Sequence, residues 1–136
     1  MKEITVEAKV PNITAITAFI DEELEKAGCS MKAQMQMDIA ADEVFANVSM
    51  YAYAPETGDV TVGLEIDGET KTATLQFRDR GIPFDPTLVE EPDVTLPAEK
   101  RRIGGLGIFM VKKSMDSVHY EYRDGQNILT ITKKIG

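Results

Sequence analysis

The sequence predicts an α+β protein: a two-layer α/β sandwich in which a mixed, mostly antiparallel sheet carries its helices on one face. Three observations lead there. Apolar residues recur every three or four positions through the first third of the chain, then every second position in two later stretches. Each of those later stretches holds an Asp-Gly pair, which is a hairpin signal. Strands and helices do not alternate strictly, which disfavours a parallel sheet built from strand-helix-strand units.

Ile4, Val6 and Ala8 alternate as a strand does, and Pro11 ends the pattern. Asn12 stands where a helix cap belongs, ahead of a stripe of Ile13, Ile16, Phe19 or Ile20, and Leu24, with Gly28 as the stop. Ser30 is the next cap, and Met31 to Ala54 contains neither proline nor glycine, so a long second helix follows. Val60, Val62, Leu64 and Ile66 form one arm of a hairpin, Asp67-Gly68 its turn, and Ala73, Leu75 and Phe77 the other arm. From Asp85 to Ile103 there are prolines at 86, 92 and 97 and no periodicity; so long a connection is either a functional lid or a disordered segment. A glycine cluster then opens a helix running to about Met115. Val118, Tyr120 and Tyr122 lead through Asp124-Gly125 to Leu129 and Ile131 as a second hairpin.

The 136 residues suit one domain spanning 1–136. With 23 acidic against 15 basic residues the net charge is −8, which argues against direct binding to nucleic acid or an anionic membrane. No apolar run is long enough to span a bilayer and the first residues lack a signal-peptide core, so a cytoplasmic location is expected. Cys29 is the sole cysteine and cannot form an internal disulfide. His119, the sole histidine, falls at an exposed position of an alternating stretch.

Chemistry has three places to sit. Glu43 and Asn47 are four residues apart, so they share a helix face with Ile39, Ala46 and Met50. An amide oxygen and a carboxylate there suit Mg²⁺ and general-base work; on these two residues alone, a solvated helix edge is the simpler account. Asp79 follows a strand and is followed by Gly81 and Pro83, an arrangement in which the carboxylate can accept from an exocyclic amine and select adenine over guanine. A plain Asp-x-Gly turn explains the same residues. The stretch RRIGGLGIFMVKK, residues 101–113, places glycines at a helix start beside Arg101, Arg102, Lys112 and Lys113, where backbone N–H groups bind anions and phosphate is the natural guest. Tight helix packing is the alternative. Neither a Walker loop nor a dinucleotide fingerprint fits the spacing.

Taken together and in order, the motifs resemble a known family. DEVFANVSMYAY resembles the N box, DRGIPFDP the first glycine box and GGLGIFMVKKSMD the second glycine box of the Bergerat-fold ATPases, the group of gyrase, the heat-shock chaperone and sensor histidine kinases. More narrowly, the chain resembles the bacterial anti-sigma factor serine/threonine kinases. The resemblance implies the Bergerat ATP-binding fold, with ATP and Mg²⁺ as ligands. It implies Glu43 as general base, Asn47 as Mg²⁺ ligand and Asp79 as the adenine-reading carboxylate, with Gly81 lining the base pocket. Gly105 and Gly107 would surround the phosphates, residues 85–104 would be the ATP lid, and Arg101 and Arg102 would be its cations. Tyr51 occupies the position where the family commonly has histidine, and Gly104 and Gly105 are adjacent where a charged residue commonly separates the glycines.

The activity so implied is ATP-dependent serine/threonine kinase activity on an anti-sigma-factor antagonist, in a circuit where the kinase also holds a sigma factor. A homodimer is the common assembly of such proteins. A catalytically weak or inactive ATP-binding module that sequesters a partner is the alternative, and a nucleotide-free interaction domain is a third. Met31 and Met35, one helical turn apart with Met37 nearby, fit either an adaptable partner surface or core packing.

Overall fold

Each predicted alternation forms a strand. The computed structural model describes residues 1–53, 58–83, 85 and 111–135. In it β1 (Lys2–Glu7), β2 (Asp59–Asp67), β3 (Thr72–Asp79), β4 (Ser117–Arg123) and β5 (Gln126–Lys134) make one sheet of order β1-β2-β3-β5-β4. Every pairing among the described residues is antiparallel, so the sheet goes beyond the mixed one expected. Because side chains alternate along a strand, apolar residues collect in cross-strand rows: Val62, Phe77 and Leu129 in one, Leu64, Leu75 and Ile131 in the next. All six are buried. The first of these rows has a neighbour in which Asp79 sits opposite Asn127, two buried polar residues where the pattern calls for apolar ones.

Two helices cover this face. α1 (Ile13–Lys26) contributes Ile16, Ile20 and Leu24 to the core, and α2 (Met31–Asn47) contributes Met37, Ala40, Ala41, Val44 and Phe45. Residues 111–114 are also helical and bring Val111 into the same core, with Met115 just beyond them. The start of that helix lies outside the described residues. The opposite sheet face is polar, where Gln76 donates to Thr130 at 3.3 Å.

The ends of the elements follow local chemistry. Gly28, at φ +72°, closes α1: its N–H reaches the Glu25 carbonyl, and that of Cys29 reaches Leu24 at 3.0 Å, the Schellman pattern. The Ser30 hydroxyl accepts from the Ala33 N–H at 3.2 Å and caps α2 as expected. Asn12 departs from expectation. It does not cap α1; β1 ends at Glu7, a 3-10 turn spans Val10–Asn12, and the Asn12 amide donates back to the Glu7 carbonyl at 2.9 Å. Asp124 and Gly125 both have positive φ and form the two-residue turn expected of them. Asp67-Gly68 opens a longer turn instead: the Asp67 carboxylate accepts from the N–H groups of Glu69 and Thr70, and Lys71 takes the left-handed conformation. The second helix runs to Ala52, but its last five residues, Val48–Ala52, are π-helical rather than α.

An acid pair lies between the helices. The Oδ1 atoms of Asp21 on α1 and Asp38 on α2 are buried and accept no hydrogen bond among the described residues. Burial, then a hydrogen bond between protonated Asp38 and the Asp21 carboxylate together with that carboxylate's charge, then Asp42 and Glu25, push the Asp38 carboxyl up to about 7. A carboxyl whose folded pKa is raised holds its proton more tightly when folded, so its contribution to stability is full below about pH 4 and is lost as pH rises through about 7. Asp38→Asn removes this dependence. Between pH 5 and pH 8 the melting temperature of the parent should therefore fall more than that of the variant, which thermal denaturation followed by circular dichroism at several pH values will read.

Candidate functional site

Asp79 is the last residue of β3, on the helix-covered face, and only 5% exposed. Its Oδ1 accepts from the Gly81 N–H at 2.9 Å, closing an Asx turn, and from the Asn127 amide at 2.9 Å. The Asn127 amide also donates to the Ile82 carbonyl at 2.8 Å, so a β5 side chain pins the segment that follows β3. The Tyr120 hydroxyl on β4 donates to the Asn127 side-chain oxygen and fixes that amide's orientation. Among the described residues, Oδ2 of Asp79 accepts nothing. Burial raises the Asp79 pKa, and the bonds from Asn127 and Gly81 oppose that shift. The result is a rigid carboxylate with one oxygen anchored and the other available to a donor.

Glu43 and Asn47 stand at the C-terminal end of α2. Asn47 is 6% exposed, and its amide nitrogen donates to the Glu43 backbone carbonyl at 2.7 Å. That bond leaves the amide oxygen, a hard donor, without a hydrogen bond among the described residues. Glu43 is half-buried, one step round the helix toward solvent. Ile39 and Met50, on the same helix face, are exposed, as a solvated helix edge would have them. The Glu43 carboxylate therefore sits at the border of the core and opens outward.

Tyr53 joins the two clusters. It follows the π-helical segment after Asn47; its hydroxyl donates to the Asp59 carbonyl at 2.7 Å and accepts from the Arg80 N–H at 2.8 Å, next to Asp79. A Cβ at Gly58 would overlap the Tyr53 ring, so glycine is required there for the ring to lie on the backbone. One residue thus ties the end of α2 to the start of β2 and the end of β3.

Sequence reading found Glu43, Asn47, Asp79 and Gly81, and the structure groups them as two pairs. Arg101, Arg102, Gly105 and Gly107 lie outside the described residues, as do residues 86–104 of the expected lid and the side chain of Tyr51. Asn127, Tyr120 and Tyr53 were not anticipated. Asn127 was within reach, because it precedes the inward-facing Leu129 by two residues and must share its face. Asn127→Leu keeps the branching and the number of heavy atoms but removes the donors to Asp79 and Ile82. It should cost about 1.5–3 kcal/mol of stability or of binding at Asp79, read by thermal unfolding and by nucleotide titration.

The described residues thus place a buried acid at the end of a sheet strand and a buried amide at the end of a helix, in an antiparallel two-layer sandwich of the kind that nucleotide-binding ATPases use. The chain belongs to the family described as the histidine kinase-like ATPase domain, which it matches over residues 6–133 and for which ATP binding is the implied property. Its relatives place it with the serine kinases of that family. It is 26% identical over 133 residues to the serine/threonine-protein kinase BtrW of Bordetella bronchiseptica, covering 96% of this chain and 93% of the relative. It is 32% identical over 115 residues to the serine-protein kinase RsbW of Listeria monocytogenes, covering 81% and 71%. The same fold occurs in a solved structure of the RsbU and RsbW domains of a Mycobacterium tuberculosis protein. There the TM-score is 0.67 at 14% identity, over 99% of this chain and 33% of that one. The Acinetobacter baumannii histidine kinase AdeS shares it at a TM-score of 0.55 and 12% identity, over 100% and 70%. No described helix is long and apolar enough to cross a membrane.

Proposed function

We propose that the protein is a Mg·ATP-dependent serine kinase that phosphorylates an anti-sigma-factor antagonist and alternately holds a sigma factor, a reaction that belongs in the cytoplasm with its partners. The observation that carries the reading is the buried Asp79 carboxylate, anchored through one oxygen by Gly81 and Asn127 and open at the other. That open oxygen accepts from the exocyclic amine of adenine, and Gly81 lines the base pocket. Guanine would present a carbonyl to the same oxygen and is rejected.

The donor set fits the rest of the ligand. Asn47, its nitrogen held by the Glu43 carbonyl, offers its oxygen to Mg²⁺. Arg101 and Arg102 in the lid, residues 85–104, together with the backbone at Gly105 and Gly107, complete the phosphate site. When bound, Mg·ATP supplies the transferable phosphoryl group. Glu43, at the border of core and solvent, accepts the proton of the substrate serine hydroxyl as that oxygen becomes the nucleophile. Tyr53 holds the end of α2 and the end of β3 in register, so that base and adenine reader stay in fixed relation.

A weak or inactive ATP-binding module that sequesters its partner is the second reading, favoured by Tyr51 at the histidine position of the N box. Incubating the protein with labelled ATP, Mg²⁺ and a purified antagonist domain separates the two. Phosphoserine on the antagonist, found by mass spectrometry, supports the kinase. Saturable nucleotide binding without phosphoserine supports the module.

A further inference from the structure

α2 carries a second surface, remote in chemistry from the nucleotide ligands. Met37 is fully buried and belongs to the core, but Met31, Met35 and Ile39 are 89%, 58% and 51% exposed. Spaced four residues apart, they form a stripe about 12 Å long on the side of α2 that the sheet does not use. They line a groove of about 480 Å³ whose other walls include the carboxylates of Glu25, Asp38 and Asp42, and no cation among the described residues lines it. Methionines adapt to apolar partners, and exposed apolar patches of this kind are contact sites more often than accidents.

The charge decides the occupant. A second copy of the chain would set acid against acid, and an anionic membrane would repel the same rim. Asp38 lines the groove between Glu25 and Asp42, so a partner's ammonium or guanidinium group lying there would meet three carboxylates together. We propose that this face of α2 docks a cationic amphipathic helix of a partner protein. Its apolar residues lie on Met31, Met35 and Ile39, and its lysines or arginines reach Glu25, Asp38 and Asp42. The inference rests on the partner-binding half of the reading above and leaves the nucleotide site untouched.

The acid pair makes this docking titrate. The groups facing Asp38 are Asp21 and Glu25 on α1, Asp42 on α2 and Cys29 in the turn between the helices. A bound cation favours ionised Asp38 and lowers its pKa from about 7. Affinity is therefore full above pH 7 and is lost as pH falls below it, by roughly tenfold between pH 8 and pH 6.

The test uses the full chain and a labelled 18-residue helical peptide of leucines at three- and four-residue spacing separated by lysines, with a charge isomer bearing glutamate for every lysine. Fluorescence anisotropy should show saturable 1:1 binding of the lysine peptide, about tenfold tighter at pH 8 than at pH 6. The double substitution Met31→Glu, Met35→Glu should weaken it at least tenfold, although it makes the protein more acidic. Equal or tighter binding to that variant would mean bulk attraction to a chain of net charge −8 and would overturn the proposal. So would equal binding of the glutamate isomer, no binding at all, or a wild-type dimer that the double variant dissociates in sedimentation. ATP titration of the same preparations reports on the nucleotide site separately, and the double variant should retain the parent's ATP affinity.

Discussion

Asp79→Asn should weaken ATP binding at least about 100-fold while leaving the ligand-free fold as stable as the parent or more so. The substitution preserves shape, and its side-chain oxygen can still accept from Gly81 and Asn127. What changes is the atom turned to the ligand: an amide nitrogen, a donor, replaces the open carboxylate oxygen and faces the adenine amine, another donor. Stability runs the other way. Burial raises the Asp79 pKa, so the folded state disfavours its ionised form, and that cost is present once pH exceeds the folded pKa. Asparagine carries no such cost. A melting temperature at pH 8 equal to or above the parent's, together with lost binding in calorimetry, is the expected pair of results; lost binding with a collapsed melting temperature would assign Asp79 a structural role instead.

Glu43→Gln should lower phosphotransfer about 10²–10⁴-fold, through kcat, with ATP affinity unchanged within about threefold. The separation is clean for a structural reason. Asn47 is oriented by the backbone carbonyl of residue 43 and not by its carboxylate, so the proposed Mg²⁺ ligand keeps its position when the side chain changes. Single-turnover transfer to the antagonist, with ATP binding measured alongside, reads both quantities. Unimpaired transfer would remove Glu43 from the general-base role.

The fold was legible because its signals are periodic and local. The two hairpins follow from alternation around Val60 to Phe77 and Val118 to Ile131, and α2 from a cap at Ser30 and the absence of breakers. What failed was finer. Asn12 looked like a cap, yet a 3-10 turn brought its side chain back to Glu7. The α-to-π change at Val48 leaves no mark in composition, since the same residues suit either helix. Asp67-Gly68 specified a turn but not its length, because the Asx bonds of Asp67 stabilise a longer one.

For the site, single residues were ambiguous and their order along the chain was not. Asp79 is a turn residue, its Oδ1 making the Asx turn, and the ligand-reading role proposed for it would fall to Oδ2, to which no described residue donates. Asn127 and Tyr120 escaped notice because they come from the last two strands, far from Asp79 in sequence, and only the antiparallel register of β3, β5 and β4 brings them together. Tyr53 ends the N-box-like stretch DEVFANVSMYAY, but its role depends on two backbone partners that no spacing rule names.

The central claim is that this chain binds ATP through Asp79 and Mg²⁺ through Asn47. Calorimetric titration of the purified protein with ATP, with Mg²⁺ and again with the metal chelated, tests it most directly. The account predicts saturable 1:1 binding that weakens on chelation and disappears in Asp79→Asn. A folded protein that takes up no ATP, or binds it equally well after that substitution, would contradict it.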